Sequence, residues 1–98
     1  IDMGMNLQES IEAPSWHINH FPGSFWPRST TLNRITLESR FSEACIADLK
    51  AAGHEVKIGP AWSEGRISAC TREFTKNGDL LLRAAANPRG MQGYAVGR

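Results

Sequence analysis

The chain has 98 residues, a formal net charge of +1, 41% hydrophobic and 21% charged residues, the composition of an ordinary globular domain and not of a disordered or fibrous chain. Its eight arginines are scattered, with no Lys/Arg-rich run, so a nucleic-acid footprint is not indicated, and no apolar stretch approaches the roughly 20 residues that span a bilayer, so no membrane partner is expected. The length allows a single domain or fragment over 1–98 with one modest core, burying about 60–65% of the surface its unfolded form exposes.

The first residue is Ile1, not Met, which implies a cut or further sequence upstream. No charged leader followed by an apolar run is visible. Ile1-Asp2-Met3-Gly4 reads as the last turn of an earlier helix, with Gly4 as its left-handed cap. Asn6 then offers an N-cap with Glu9 three residues on, an Asn version of the capping box. Leu7, Ile11 and Ala13 give a short helix one apolar side, and Pro14 ends it because the residue before proline avoids the helical region.

Ser15 to Phe21 alternates, with Trp16 and Ile18 on one side and His17 and Asn19 on the other, as in a half-buried strand. Pro22-Gly23-Ser24-Phe25-Trp26-Pro27 is loop by its breakers, and its two large aromatics are expected to pack on something. Arg34 to Glu38 is a second short strand. A second helix starts at the N-cap Ser42, with Phe41 and Ile46 placed as a hydrophobic staple, and closes at Gly53. Cys45, Ile46, Leu49 and Ala52 would line its apolar side, and Glu43 and Lys50 match the helix dipole.

Glu55 to Ile58 is a third strand, ended by Gly59-Pro60. Gly65 to Phe74 and Leu80 to Ala85 form two longer strands around Lys76-Asn77-Gly78-Asp79, where Asn-Gly marks a hairpin. Leu80-Leu81-Leu82 does not alternate, so this strand is expected to be covered on both faces. The order helix, strand, strand, helix, strand, strand, strand predicts an α+β fold with a mostly antiparallel sheet and two helices.

Five stretches, in order, resemble the end of the small subunit of gamma-glutamyltransferases. Gly4-Met5-Asn6-Leu7-Gln8-Glu9-Ser10-Ile11-Glu12-Ala13-Pro14 with His17 resembles that family's Gly-Met-x-x-Gln-Glu-Ala-Ile-x-x-Pro-Arg-x-His stretch. Leu37-Glu38-Ser39-Arg40-Phe41 precedes a helix ending Leu49-Lys50-Ala51-Ala52-Gly53-His54-Glu55-Val56, as in the family. Gly65 to Ala69 resembles a Gly-x-x-Gln-Ala strand, Ala85-Ala86-Asn87-Pro88-Arg89 an Ala-Asp-Pro-Arg element, and Tyr94 to Arg98 the chain terminus. Three places depart from the pattern: Trp16 replaces the usual Arg after the proline and its neighbour, Ser68 stands in place of Gln, and Asn87 in place of Asp.

The resemblance implies the C-terminal portion of an N-terminal-nucleophile hydrolase αββα sandwich, two sheets between helix layers. Such a precursor cuts itself to expose a threonine, which attacks the gamma-glutamyl amide of glutathione-like substrates and passes the acyl group to water or an amine. The family's nucleophile, its substrate carboxylate clamp, its paired serines and its Gly-Gly oxyanion donors all precede the Gly-Met stretch. The resemblance therefore assigns no catalytic and no substrate-binding residue to this chain.

The residues themselves point the same way. An N-terminal nucleophile needs a free α-amine beside its side chain; Ile1 has no nucleophile, and Thr30, Thr31, Thr36, Thr71 and Thr75 are internal. His17 and His20 would face opposite sides of a strand, a poor arrangement for joint metal binding, and a structural, hydrogen-bonded His17 is the plainer reading. Ser63-Glu64-Gly65-Arg66 reads as a solvated turn or an anion contact. Trp16, Trp26 and Trp62 read as packing residues or a ligand-stacking surface. Cys45 and Cys70 are too few for a disulfide scaffold and wrongly spaced for a zinc ribbon; they read as two small core residues, with a single disulfide or a reactive thiol as the sharper reading. No phosphate loop, cofactor motif or Ser-His-Asp pattern is readable. The expected role is a structural segment whose partner is the rest of a longer polypeptide. The alternative is a non-catalytic binding or assembly module, and unpaired strand edges predict a homo-oligomer when the piece stands alone.

Overall fold

A computed structural model describes residues 3–91 and 93–96. The elements are α1 (Leu7–Glu12), β1 (Trp16–Ile18), β2 (Arg34–Glu38), α2 (Glu43–Ala51), β3 (Glu55–Gly59), β4 (Ala69–Phe74) and β5 (Leu80–Ala85), followed by a short 3-10 turn at Arg89–Met91. This is the expected order and an α+β fold. The chain forms two compact units, one of Pro14–Gly65 and one of the stretches on either side of it. The expectations for Ile1-Asp2 and for the terminal Gly97-Arg98 lie outside the described residues.

In the Pro14–Gly65 unit, β1, β2 and β3 form one sheet in that order. β1 runs antiparallel to β2, with His17 opposite Thr36, while β3 runs parallel to β2, with Thr36 opposite Lys57. The parallel pair was not expected. It follows from the connection, because parallel strands need a long crossover and α2 supplies one. The register places Trp16, Leu37 and Ile58 abreast on one face and His17, Thr36 and Lys57 abreast on the other. β2 is the central strand, and Ile35, Thr36, Leu37 and Glu38 are all buried.

α2 begins as read from the sequence. Ser42 Oγ accepts from the Cys45 amide, and Phe41 and Ile46 are both half-buried. Its end is a Schellman motif: the Gly53 amide donates to Lys50 O at 3.0 Å and the His54 amide to Leu49 O at 3.1 Å. Gly53 sits at φ +93, and nothing lies within 4 Å of where a Cβ would project. α2 packs on β3 with Cys45, Ile46 and Leu49 half-buried, whereas Ala52 is exposed.

In the other unit the Asn6 capping box forms in full. Asn6 Oδ1 accepts from the Glu9 amide, and Glu9 Oε2 accepts from the Asn6 amide, both at 2.9 Å. Gly4 takes the left-handed conformation expected of it. α1 ends at Ala13, whose backbone is extended ahead of Pro14, and it packs against β4 and β5. Ile11 and Ala85 are the buried apolar residues there.

β4 and β5 pair antiparallel, from Ala69 opposite Ala85 to Phe74 opposite Leu80. The expected hairpin forms as a three-residue loop. The Thr75 amide donates to Asp79 O, the Gly78 amide donates to Thr75 O, and Gly78 has φ +86, a turn followed by a left-handed glycine. Two expectations fail here. The strand starts at Ala69 and not at Gly65, whose φ of +77 is incompatible with a strand. The leucine run is not covered on both faces: Leu81 is half-buried, but Leu80 and Leu82 are 51% and 64% exposed. Both sit with Phe74 on the same face of a two-stranded ribbon, the face opposite Ala85.

The Schellman end yields a clean test. Because a Cβ at residue 53 would meet no atom, Gly53→Ala is expected to cost only the left-handed backbone, about 1–2 kcal/mol, and Gly53→Asn less than Gly53→Ala. Urea denaturation of the chain measures both, and equal stability of all three would contradict the cap.

Candidate functional site

The densest polar cluster lies at the shared end of β2 and β3. Glu38 closes β2 and has no exposed surface. A carboxylate taken out of water must be paired and hydrogen-bonded. Glu38 Oε2 accepts from the Ser15 amide at 3.1 Å and from Arg40 Nη2 at 2.7 Å, and Oε1 accepts from the Glu64 amide at 3.1 Å. The Glu38 amide in turn donates to Ser15 O. One side chain thus ties together the segment entering β1, the turn after β2 and the loop after β3.

Arg40 reaches Glu38 from two residues along the chain and lays its guanidinium over the Trp62 ring, 3.5 Å from the centroid. Such a contact contributes about 0.5–2 kcal/mol. Trp62 holds φ +63, a conformation costing an ordinary residue about 1–2 kcal/mol, so the stacking offsets much of the backbone strain. Arg40 Nε is buried without an acceptor.

Glu64 turns its side chain the other way. Its Oε2 is hydrogen-bonded to His17 Nδ1, and its Oε1 accepts from Ser63 Oγ at 2.9 Å. A carboxylate only accepts, so the proton on His17 sits at Nδ1. Gly59 makes this approach possible. A Cβ there would lie 2.9 Å from Ser63 Oγ and 3.0 Å from Glu64 Oε1. Beside the pair, a cleft of about 270 Å3 is lined by His17, Asn19, Thr36, Lys57, Ser63 and Glu64, among others. At its far end Arg34 grips Glu55 Oε1 through Nε and Nη2, at 3.0 and 2.7 Å.

Serine, histidine and a carboxylate therefore meet, but in the wrong order for nucleophilic catalysis. A triad needs the histidine between the hydroxyl and the acid; here Glu64 stands between Ser63 and His17. The threonines offer nothing better. Thr30 Oγ1 shares its proton between the Asn19 and His20 carbonyls, Thr36 is buried, Thr71 Oγ1 is buried without a partner, and Thr75 Oγ1 accepts from the Asp79 amide.

His17 is hydrogen-bonded, to Glu64, whereas His20 Nε2 is buried with no partner. No group of three metal-ligating side chains occurs among the described residues. Ser63-Glu64 is more than a solvated turn, since Glu64 is held on both its backbone and its side chain. Trp16, Phe25 and Trp26 are 53%, 89% and 90% exposed, so the packing expected of them is not seen among the described residues, whereas Trp62 packs under Arg40. Both cysteines are free, Cys45 half-buried and Cys70 exposed, so neither is the buried core residue expected. The roles of Glu38, Arg40 and Glu64 were not read from the sequence. Glu38 following Ile35 and Leu37 at the end of a short strand was the available signal.

The second unit has its own buried pair. Arg89 Nη1 donates to Ile11 O and Nη2 to Ala13 O, both at 2.8 Å. Arg89 is 4% exposed. α1 has no basic residue in its own last turn, and Arg89 supplies the cation that its C-terminal carbonyls favour. The Arg89 amide donates to Asn87 Oδ1 at 2.8 Å, an Asx turn that Asp or Asn forms equally well, so the departure at Asn87 leaves this geometry intact. A Cβ at Gly93 would lie 2.7 Å from Asn87 O, and only glycine fits there.

The gamma-glutamyltranspeptidase family model matches residues 1–97. The chain belongs to that family. It is 40% identical over 96 residues to the oxamate amidohydrolase proenzyme of Klebsiella pneumoniae subsp. pneumoniae, a match covering 96% of this chain and 16% of that protein. Two solved structures, of LmbA2991T421A and LmbA2991HD, are 51% and 50% identical, each with a TM-score of 0.85, covering all of this chain and 16% of theirs. This family member thus spans about one sixth of the length of these relatives.

Glu38→Gln tests the cluster at the end of β2. The amide keeps the shape but removes the charge that Arg40 needs, and its NH2 faces a backbone donor. A loss of about 2–3 kcal/mol is expected in urea denaturation. A loss below about 0.5 kcal/mol, the level of an ordinary surface change, would show that the network does not hold this unit.

Proposed function

We propose that this chain is a non-catalytic scaffold segment of a gamma-glutamyltranspeptidase-family protein. The observation that carries the reading is the use made of the buried polar groups. Glu38 and Arg89 bind backbone amides and carbonyls of the chain itself, and Ser63, Glu64 and His17 stand in a non-catalytic order, with the carboxylate between the hydroxyl and the imidazole. The nucleophile of the whole protein would then lie outside these residues, in a sandwich of two sheets between helix layers to which this chain contributes.

The whole protein would break an amide C–N bond by attack of an N-terminal threonine and pass the acyl group to water or an amine. Gamma-glutamyl amides of the glutathione type are the substrates that the family description suggests, and oxamate is the one that the Klebsiella relative's name suggests. The purified chain is expected to release no product from a gamma-glutamyl anilide and no ammonia from oxamate. Measurable turnover of either would overturn the scaffold reading.

A second reading, a self-associating assembly module, is favoured by one specific observation. Phe74, Leu80 and Leu82 lie exposed on a single face of the β4–β5 ribbon, which has unpaired edges on both sides among the described residues. Light scattering of the chain is expected to give a dimer or larger species, and a monodisperse monomer would count against it.

A further inference from the structure

We propose that Asn77 is a site of spontaneous backbone modification, gated by the opening of the β4–β5 turn. The inference is independent of the scaffold reading. Asn77-Gly78 is the one Asn-Gly pair in the sequence. Both residues are exposed, and nothing lies within 4 Å of where a Gly78 Cβ would project. The Asn77 side-chain amide makes no hydrogen bond among the described residues, unlike Asn6 and Asn87, whose Oδ1 atoms accept from Glu9 and Arg89 amides.

The chemistry balances without a co-reactant other than water. The Gly78 backbone nitrogen attacks Asn77 Cγ and loses its proton. The bond from Cγ to the side-chain nitrogen breaks, and ammonia leaves. The resulting five-membered succinimide is opened by water at either carbonyl, giving aspartate or isoaspartate. Glycine is the successor that permits ring closure most easily, because it adds no side chain beside the attacking nitrogen. The other asparagines precede Leu7, His20, Arg34 and Pro88, and proline has no N–H to give up.

One contact restrains the attacking nitrogen. The Gly78 amide donates to Thr75 O at 2.9 Å, so attack requires this turn to open. Conversion replaces a neutral amide by a carboxylate next to Asp79. In the isoaspartyl product the main chain is longer by one carbon within a loop that the Thr75–Asp79 hydrogen bond closes over three residues.

The test is to incubate the folded chain at neutral pH and follow the tryptic peptide Asn77–Arg83, which cleavage after Lys76 and Arg83 releases. The expected result is a gain equal to the mass difference between NH2 and OH, in two chromatographically separate products. A synthetic peptide of the same seven residues, which lacks the turn, is expected to convert about tenfold faster, a ratio equivalent to roughly 1.4 kcal/mol of local opening. Complete conversion of the peptide with no change at Asn77 in the folded chain would overturn the site. Equal rates in the two would overturn the gating.

Discussion

Glu38 has its carboxylate wholly out of water, and the Pro14–Gly65 unit is arranged around satisfying it. A buried anion without partners costs several kcal/mol, more than most single contacts return. The chain meets that cost with two backbone amides and one guanidinium, drawn from three different segments. The strand entry at Ser15, the turn at Arg40 and the loop at Glu64 are thereby held at one place. A Cβ at Gly59 would crowd the Ser63 hydroxyl and the Glu64 carboxylate, and Trp62 takes a left-handed backbone beneath Arg40.

Arg89 plays the reciprocal part in the other unit, with a buried cation satisfied by the carbonyls at the end of α1. In both units a charged side chain far along the chain closes a local backbone element. Both buried charges bind main-chain groups of their own unit.

Much of the local structure was legible. The caps at Asn6 and Ser42, the stop at Gly53, the extended Ala13 before Pro14 and the hairpin at Asn77-Gly78 depend on interactions within a few residues, and each formed where it was read. The limits of β4 and the environment of the leucines were not legible. A run such as Leu80-Leu81-Leu82 states only that apolar cover is favourable, whereas whether a face is covered depends on what else is folded against it. The aromatics Phe25 and Trp26 teach the same point, being large apolar side chains that this chain does not bury.

The sequence by itself determined the element order, the helix ends, the hairpin and the family, because these rest on short-range sterics, capping hydrogen bonds and motifs read in series. Tertiary structure alone decided that β2 and β3 run parallel, that Glu38 is the hub of one unit and Arg89 the clasp of the other, and that Glu64 separates Ser63 from His17. Each of those outcomes joins residues distant in the chain. No local preference encodes which carbonyl a guanidinium will reach or which amides will converge on a carboxylate, since the desolvation that makes such pairs necessary arises only when the chain closes around them.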